Sequence, residues 1–176
     1  SSRDAAGCRE TARLALRVLH RAGHLAPRCA VLHAPAGSPE QQRRMLTAFI
    51  EFWRRHSSVP LLLENTEHCD VLSLGENFLF AQGAAFCLDV GHAMGYAQHT
   101  LIRSSLPARA SMIHWSAPGA GDAHAALTAW TPAQRQTAEA LAAVLSPSAT
   151  HVLELFSWQR LQASLPLLEE LLAPAR

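Results

Sequence analysis

Five short apolar runs punctuate this chain, and a helix-like segment follows each of them. Cys29 to His33, Leu61 to Glu64, Ala85 to Asp89, Ala110 to Trp115 and His151 to Leu155 are continuous apolar stretches, not period-two alternations. Such runs are strands covered on both faces, and strands that alternate with helices build a parallel sheet. The intervening segments carry helical signals. Leu14, Ala15, Val18, Leu19 and Ala22 recur at helical spacing, and Gly23 stops them. Ser38-Pro39-Glu40-Gln41 and Thr131-Pro132-Ala133-Gln134 both read as a capping box with proline at the first helical position. A short helix is expected within Met94 to Leu106 and a longer one over Trp158 to Leu172, with a weaker one between Val71 and Gln82.

Each of the five runs carries a residue that can bind a metal at or near its end: His33, Glu64, Asp89, His114 and Glu154. The C-terminal ends of parallel strands share one face, which is where α/β proteins build their sites. Two imidazoles and three carboxylates therefore converge on one rim. His92 follows Asp89 in Asp89-Val90-Gly91-His92, and Asp122-Ala123-His124 offers another carboxylate and imidazole in a loop. Such mixed donors suit Zn²⁺ or Mn²⁺. A carboxylate such as Glu64 can bridge two ions, and paired ions stabilise both oxygens of a phosphodiester displacement.

Composition narrows the chemistry. All 15 basic residues are Arg, so reactions that need a lysine amine are excluded: Schiff-base aldolases, pyridoxal enzymes, P-loop hydrolases and kinases. A net charge of +1 gives no global attraction for nucleic acid or for an anionic membrane. The four cysteines form no C-x-x-C pair and read as small buried hydrophobes, which points to a reducing cytoplasm. No segment has the length and apolarity of a membrane span.

Leu63-Glu64-Asn65-Thr66, Cys87-Leu88-Asp89-Val90-Gly91-His92, Met112-Ile113-His114-Trp115-Ser116, Asp122-Ala123-His124 and Leu153-Glu154 together resemble endonuclease IV, the family 2 abasic-site endonucleases. That group lies within the xylose isomerase-like TIM barrels. The resemblance implies a partial (β/α)8 barrel of about five consecutive β/α units. It also implies three metal sites: His33 with Glu64; Glu64, Asp89, His114 and Glu154; and His92, Asp122 and His124. Glu64 and Glu154 would be catalytic, while His99, Arg103 and Arg109 are the candidate substrate contacts.

The activity implied is hydrolysis of a phosphodiester by a metal-activated water, with two or three ions, zinc foremost. The substrate would be abasic DNA or a small nucleotide-like or cobamide-like diester; the charge balance does not favour DNA. The alternative within the superfamily is a sugar or sugar-phosphate isomerase or epimerase, with one Mn or Mg and a Glu64/Glu154 acid–base pair. A third possibility is an inactive barrel fragment. In the endonucleases another His and the DNA-penetrating residues come from upstream strands. At 176 residues, against the roughly 250 of a full barrel, the chain is expected to be a single-domain piece lacking the first two β/α units and the last strand.

Overall fold

The computed structural model describes residues 2–119 and 124–173. The chain divides into two compact units, one of Ser1–Glu64 with His68–Phe86 and one of Asn65–Glu67 with Cys87–Arg176.

The first unit contains α1 (Ser2–Arg21), β1 (Ala30–His33), α2 (Pro39–His56), β2 (Leu61–Glu64) and α3 (Phe78–Ala81). Ser38 caps α2 with the reciprocal Gln41 bond of a capping box, an arrangement that contributes about 1 kcal/mol. The buried face of α2 is Gln42, Leu46, Phe49, Ile50 and Trp53. The Gln42 amide is buried because it donates to Pro35 O at 2.9 Å and His68 O at 2.7 Å. On α1 the buried positions are Cys8 and Ala12, whereas Leu14 and Val18 face solvent. Arg13 instead spreads over the Phe52 ring, 5.3 Å from its centroid. β1 and β2 pair in parallel, with His33 opposite Glu64.

β3 (Ala85–Asp89) runs across the division, and α4 (Val90–Gly95) follows it without a loop. The segment from Met94 to Leu106 contains the expected short helix, and α4 precedes it. α4 starts earlier because Asp89 is its N-cap, and it ends where Ala97 takes a left-handed φ of 52°. α5 (His99–Arg103) is a separate short helix. Then come β4 (Met112–Trp115), a two-residue antiparallel ladder of β5 (Ala117–Pro118) and β6 (His124–Ala125), α6 (Pro132–Ala142), β7 (Thr150–Leu153) and α7 (Trp158–Leu172).

Within this second unit the end of β3 pairs in parallel with β4, and β4 pairs in parallel with β7. Leu88, Ile113 and Trp115 are wholly buried, as expected of strands covered on both faces. β7 ends at Leu153, so Glu154 stands one residue beyond its strand. No helix among the described residues is long and apolar enough to cross a membrane.

Candidate metal centre

Asp89 is the hub of the second unit's polar interior. Its carboxylate is fully buried, and Oδ1 accepts the His92 backbone N–H at 2.6 Å. That bond starts α4 and turns the His92 ring back toward the strand end. Oδ2 lies 3.8 Å from Nδ1 of both His92 and His124. The β5–β6 ladder accounts for His124: Pro118 pairs with it in register, which returns the chain to Ser116. There the His124 Nδ1 lies 3.1 Å from Ser116 Oγ. Asp89, His92 and His124 each offer one ligand atom within 4.8 Å of the others.

A second donor set shares Asp89. Asp89, His114 and Glu154 also bring one ligand atom each within 4.8 Å of one another. His114 comes from the penultimate position of β4, and its Nδ1 approaches Glu154 Oε2 to 2.7 Å. The Glu154 side chain is 26% exposed and the His114 side chain 9%, so the carboxylate is the member of the pair that solvent reaches. In the first unit, His33 Nε2 stands 3.3 Å from Glu64 Oε2, across the β1–β2 register.

The donors fit a divalent cation. A carboxylate taken wholly out of water needs positive charge or several hydrogen bonds to offset its desolvation. Asp89 is faced by imidazoles, which are good metal ligands when neutral. His and carboxylate donors together match zinc or manganese chemistry.

The remaining sequence candidates are placed as follows. Asp122 lies outside the described residues. His99 and Arg103 are exposed on α5, and His99 directly follows Gln98. Arg109 is exposed in the 3-10 turn that leads into β4, at the opposite end of that strand from His114.

Several residues escape a reading of the sequence. Asn65, fully buried, bonds both backbone groups of Asp89. Ser116 and Phe156 both meet His124, the latter edge-on with ring centroids 5.4 Å apart while 82% exposed. The sequence signal for Asn65 and Ser116 is their place in Leu63-Glu64-Asn65-Thr66 and Met112-Ile113-His114-Trp115-Ser116, Asn65 directly after Glu64 and Ser116 two residues after His114. A cleft of about 210 Å³ opens beside His92 and His124, with Glu67, Tyr96 and Pro118 among its walls, room for one small chemical group. A larger crevice of about 1040 Å³ lies against α6 and α7, lined by Trp130, His151 and Leu167 and by none of the ligand-type residues above.

No protein-family model and no curated protein sequence matches the chain. Its fold matches two solved structures from Thermus thermophilus, each at a TM-score of 0.61. One is the TTHB071 protein soaked with ZnCl2, 23% identical over 90% of this chain. The other is endonuclease IV, 22% identical over 88% of this chain. This chain spans 66% and 65% of their respective lengths. The likeness shows the fold, a partial (β/α)8 barrel, in agreement with the sequence reading. The second unit carries buried donors able to hold a metal.

Proposed function

We propose that the chain is the metal-bearing part of a phosphodiester hydrolase of the endonuclease IV type. The observation that carries the reading is Asp89 shared between two donor sets, one with His92 and His124 and one with His114 and Glu154. A shared carboxylate suits neighbouring ions, and paired ions are the arrangement that diester displacement uses. A sugar isomerase needs only the second set; a buried Asp89–His92–His124 cluster has no part in it.

Divalent ions held there would supply Lewis acidity toward a phosphoryl oxygen and would lower the pKa of a water. The chain's own residues do the rest. Asp89 fixes the relative position of the two sets. Ser116 holds the His124 ring, while Glu154 presents the accessible carboxylate that orients the attacking water and takes its proton. Glu64, His33 and Asp122 complete the ligands that the resemblance implies. Zinc is the metal we favour, supported by the donor chemistry and by the zinc soak of one structural neighbour. A diester with a small organic group suits the 210 Å³ cleft better than duplex DNA suits a chain of net charge +1. A reducing, cytoplasmic setting agrees with four cysteines that no disulfide joins.

The test is metal content by elemental analysis together with hydrolysis of bis(p-nitrophenyl) phosphate. Two or more zinc ions per chain, with diesterase activity lost in His124→Ala, support the hydrolase. A single ion, ketose isomerisation and an indifferent His124→Ala overturn it in favour of the isomerase. Absence of any stoichiometric metal overturns both.

A further inference from the structure

We infer that Asn65 is the positioning residue of this centre, acting on Asp89 and His92 together and itself held by Gln98. The inference rests on the metal-binding part of the proposed function and not on which reaction follows.

Asn65 is 0% exposed, and its amide is used at both ends. Oδ1 accepts the Asp89 N–H at 2.8 Å, and Nδ2 donates to the Asp89 carbonyl at 2.9 Å. The side chain thus imitates a neighbouring strand and clamps the one backbone unit that carries the shared carboxylate. The second Nδ2 hydrogen goes to Gln98 Oε1 at 3.0 Å, and Gln98 Nε2 donates to Thr66 O at 2.8 Å. These partners fix which end of each amide is oxygen. Nδ2 faces two acceptors, and Oδ1 faces a donor.

The Asn65 main chain performs a second task. Its carbonyl lies 3.0 Å from His92 Nδ1, and a carbonyl only accepts. Nδ1 must therefore carry the proton, and the neutral ring keeps its lone pair on Nε2 for a cation. A metal-ligating histidine typically spends its other nitrogen on such a bond, and loss of the partner lowers metal affinity roughly 10- to 100-fold. Asn65 follows Glu64 in the motif Leu63-Glu64-Asn65-Thr66; its role emerges only when its partners are in place.

Asn65→Asp is the sharpest probe, since it keeps the shape and puts an oxygen against the Asp89 carbonyl and Gln98 Oε1. In the metal-free wild type, long-range ¹H–¹⁵N spectra should show His92 as the Nδ1–H tautomer. In Asn65→Asp that population should fall, and calorimetric zinc affinity should drop roughly 10- to 100-fold with the circular dichroism spectrum unchanged. Gln98→Ala, which leaves both Asn65–Asp89 bonds in place, should give a smaller loss in the same direction and serves if the Asp variant fails to fold. Wild-type tautomer and wild-type zinc affinity in a folded Asn65 or Gln98 variant overturn the inference. A chain that binds zinc and responds in this way but cleaves no diester leaves the inference standing and sinks the hydrolase reading. Diester cleavage that depends on His124, with metal affinity indifferent to Asn65 and Gln98, does the reverse.

Discussion

His114 Nδ1 lies 2.7 Å from Glu154 Oε2 because β4, which carries the histidine, is locked in register with β7, which ends one residue before the glutamate. β4 and β7 pair Trp115 with Leu153, and the Glu154 N–H then donates to the Trp115 carbonyl at 3.2 Å, one step beyond the ladder. That last bond holds Glu154 at the strand mouth instead of in the following loop. Glu154→Gln preserves the backbone bond and removes the charge. It is expected to lower diester hydrolysis by roughly 10²- to 10⁴-fold, the range for loss of a positioned acid–base group, with thermal stability little changed. Steady-state kinetics and a melting curve check both halves.

Gly91 provides an independent test of the His124 arm. A Cβ at this position would overlap Ser116 Oγ and stand 3.2 Å from the Ser116 carbonyl oxygen, so backbone as well as side chain would have to yield. Gly91→Ala is expected to destabilise the fold by about 1–3 kcal/mol, the usual range for overpacking. It should also dislodge Ser116 from His124 and reduce the bound zinc. Ser116→Ala on the same background restores room, so denaturant melts should recover while zinc content does not. Recovery of both would show that Ser116 does not orient His124.

Much of this is legible in the chain itself. The ends of β2 and β3, the starts of α2 and α6, and the ligand-type residues His33, Glu64 and Asp89 that close their strands follow from apolar runs and capping chemistry, which are local. What escapes is set by partners distant in sequence. Asn65 stands in a motif beside Glu64, but what it does there is not local, because its bonds go to Asp89 and Gln98. His124 reads as a loop residue because a ladder of two residues on each side has no periodicity to detect. The short helix expected between Met94 and Leu106 is α5, whereas α4 escapes for a different reason: Asp89 caps it through the same carboxylate that lies at the centre, and cap and ligand look alike in sequence.

The cysteines should differ sharply in reactivity. Burial, reinforced by the neighbouring Asp70 carboxylate, pushes the Cys69 thiol up to about 12, so it holds almost no thiolate at neutral pH. Cys8 and Cys87 are buried, and Cys29 alone is partly exposed. Ellman titration of the native chain at pH 7.5 (roughly one unit below an ordinary thiol) should show one fast thiol, lost in Cys29→Ser. In denaturant all four cysteines of the sequence should react. A fast phase that survives Cys29→Ser would contradict this burial pattern.

Acid should weaken the second unit through His151. Trp115 Nε1 donates to His151 Nδ1 at 3.0 Å, and the two rings stack with centroids 6.1 Å apart. Nδ1 must present a lone pair to accept that bond, and burial lowers the His151 pKa from its ordinary 6.5. In the window between the lowered folded value and 6.5 the unfolded chain binds more protons than the folded one. Stability therefore rises with pH through that window. The contribution is complete above about 6.5 and disappears as pH falls through the folded value. The hydrogen bond at stake contributes on the order of 1 kcal/mol. Carboxylates and the other imidazoles also titrate as the solution is acidified, so the measurement is a difference: urea melts from about pH 8 downward for the wild type and for His151→Phe, which keeps a ring beside Trp115 but no acceptor. The wild type should be the more stable at the alkaline end, and its advantage should vanish in acid, accompanied by a change in tryptophan fluorescence. A difference that stays constant with pH would mean that His151 does not titrate in contact with Trp115.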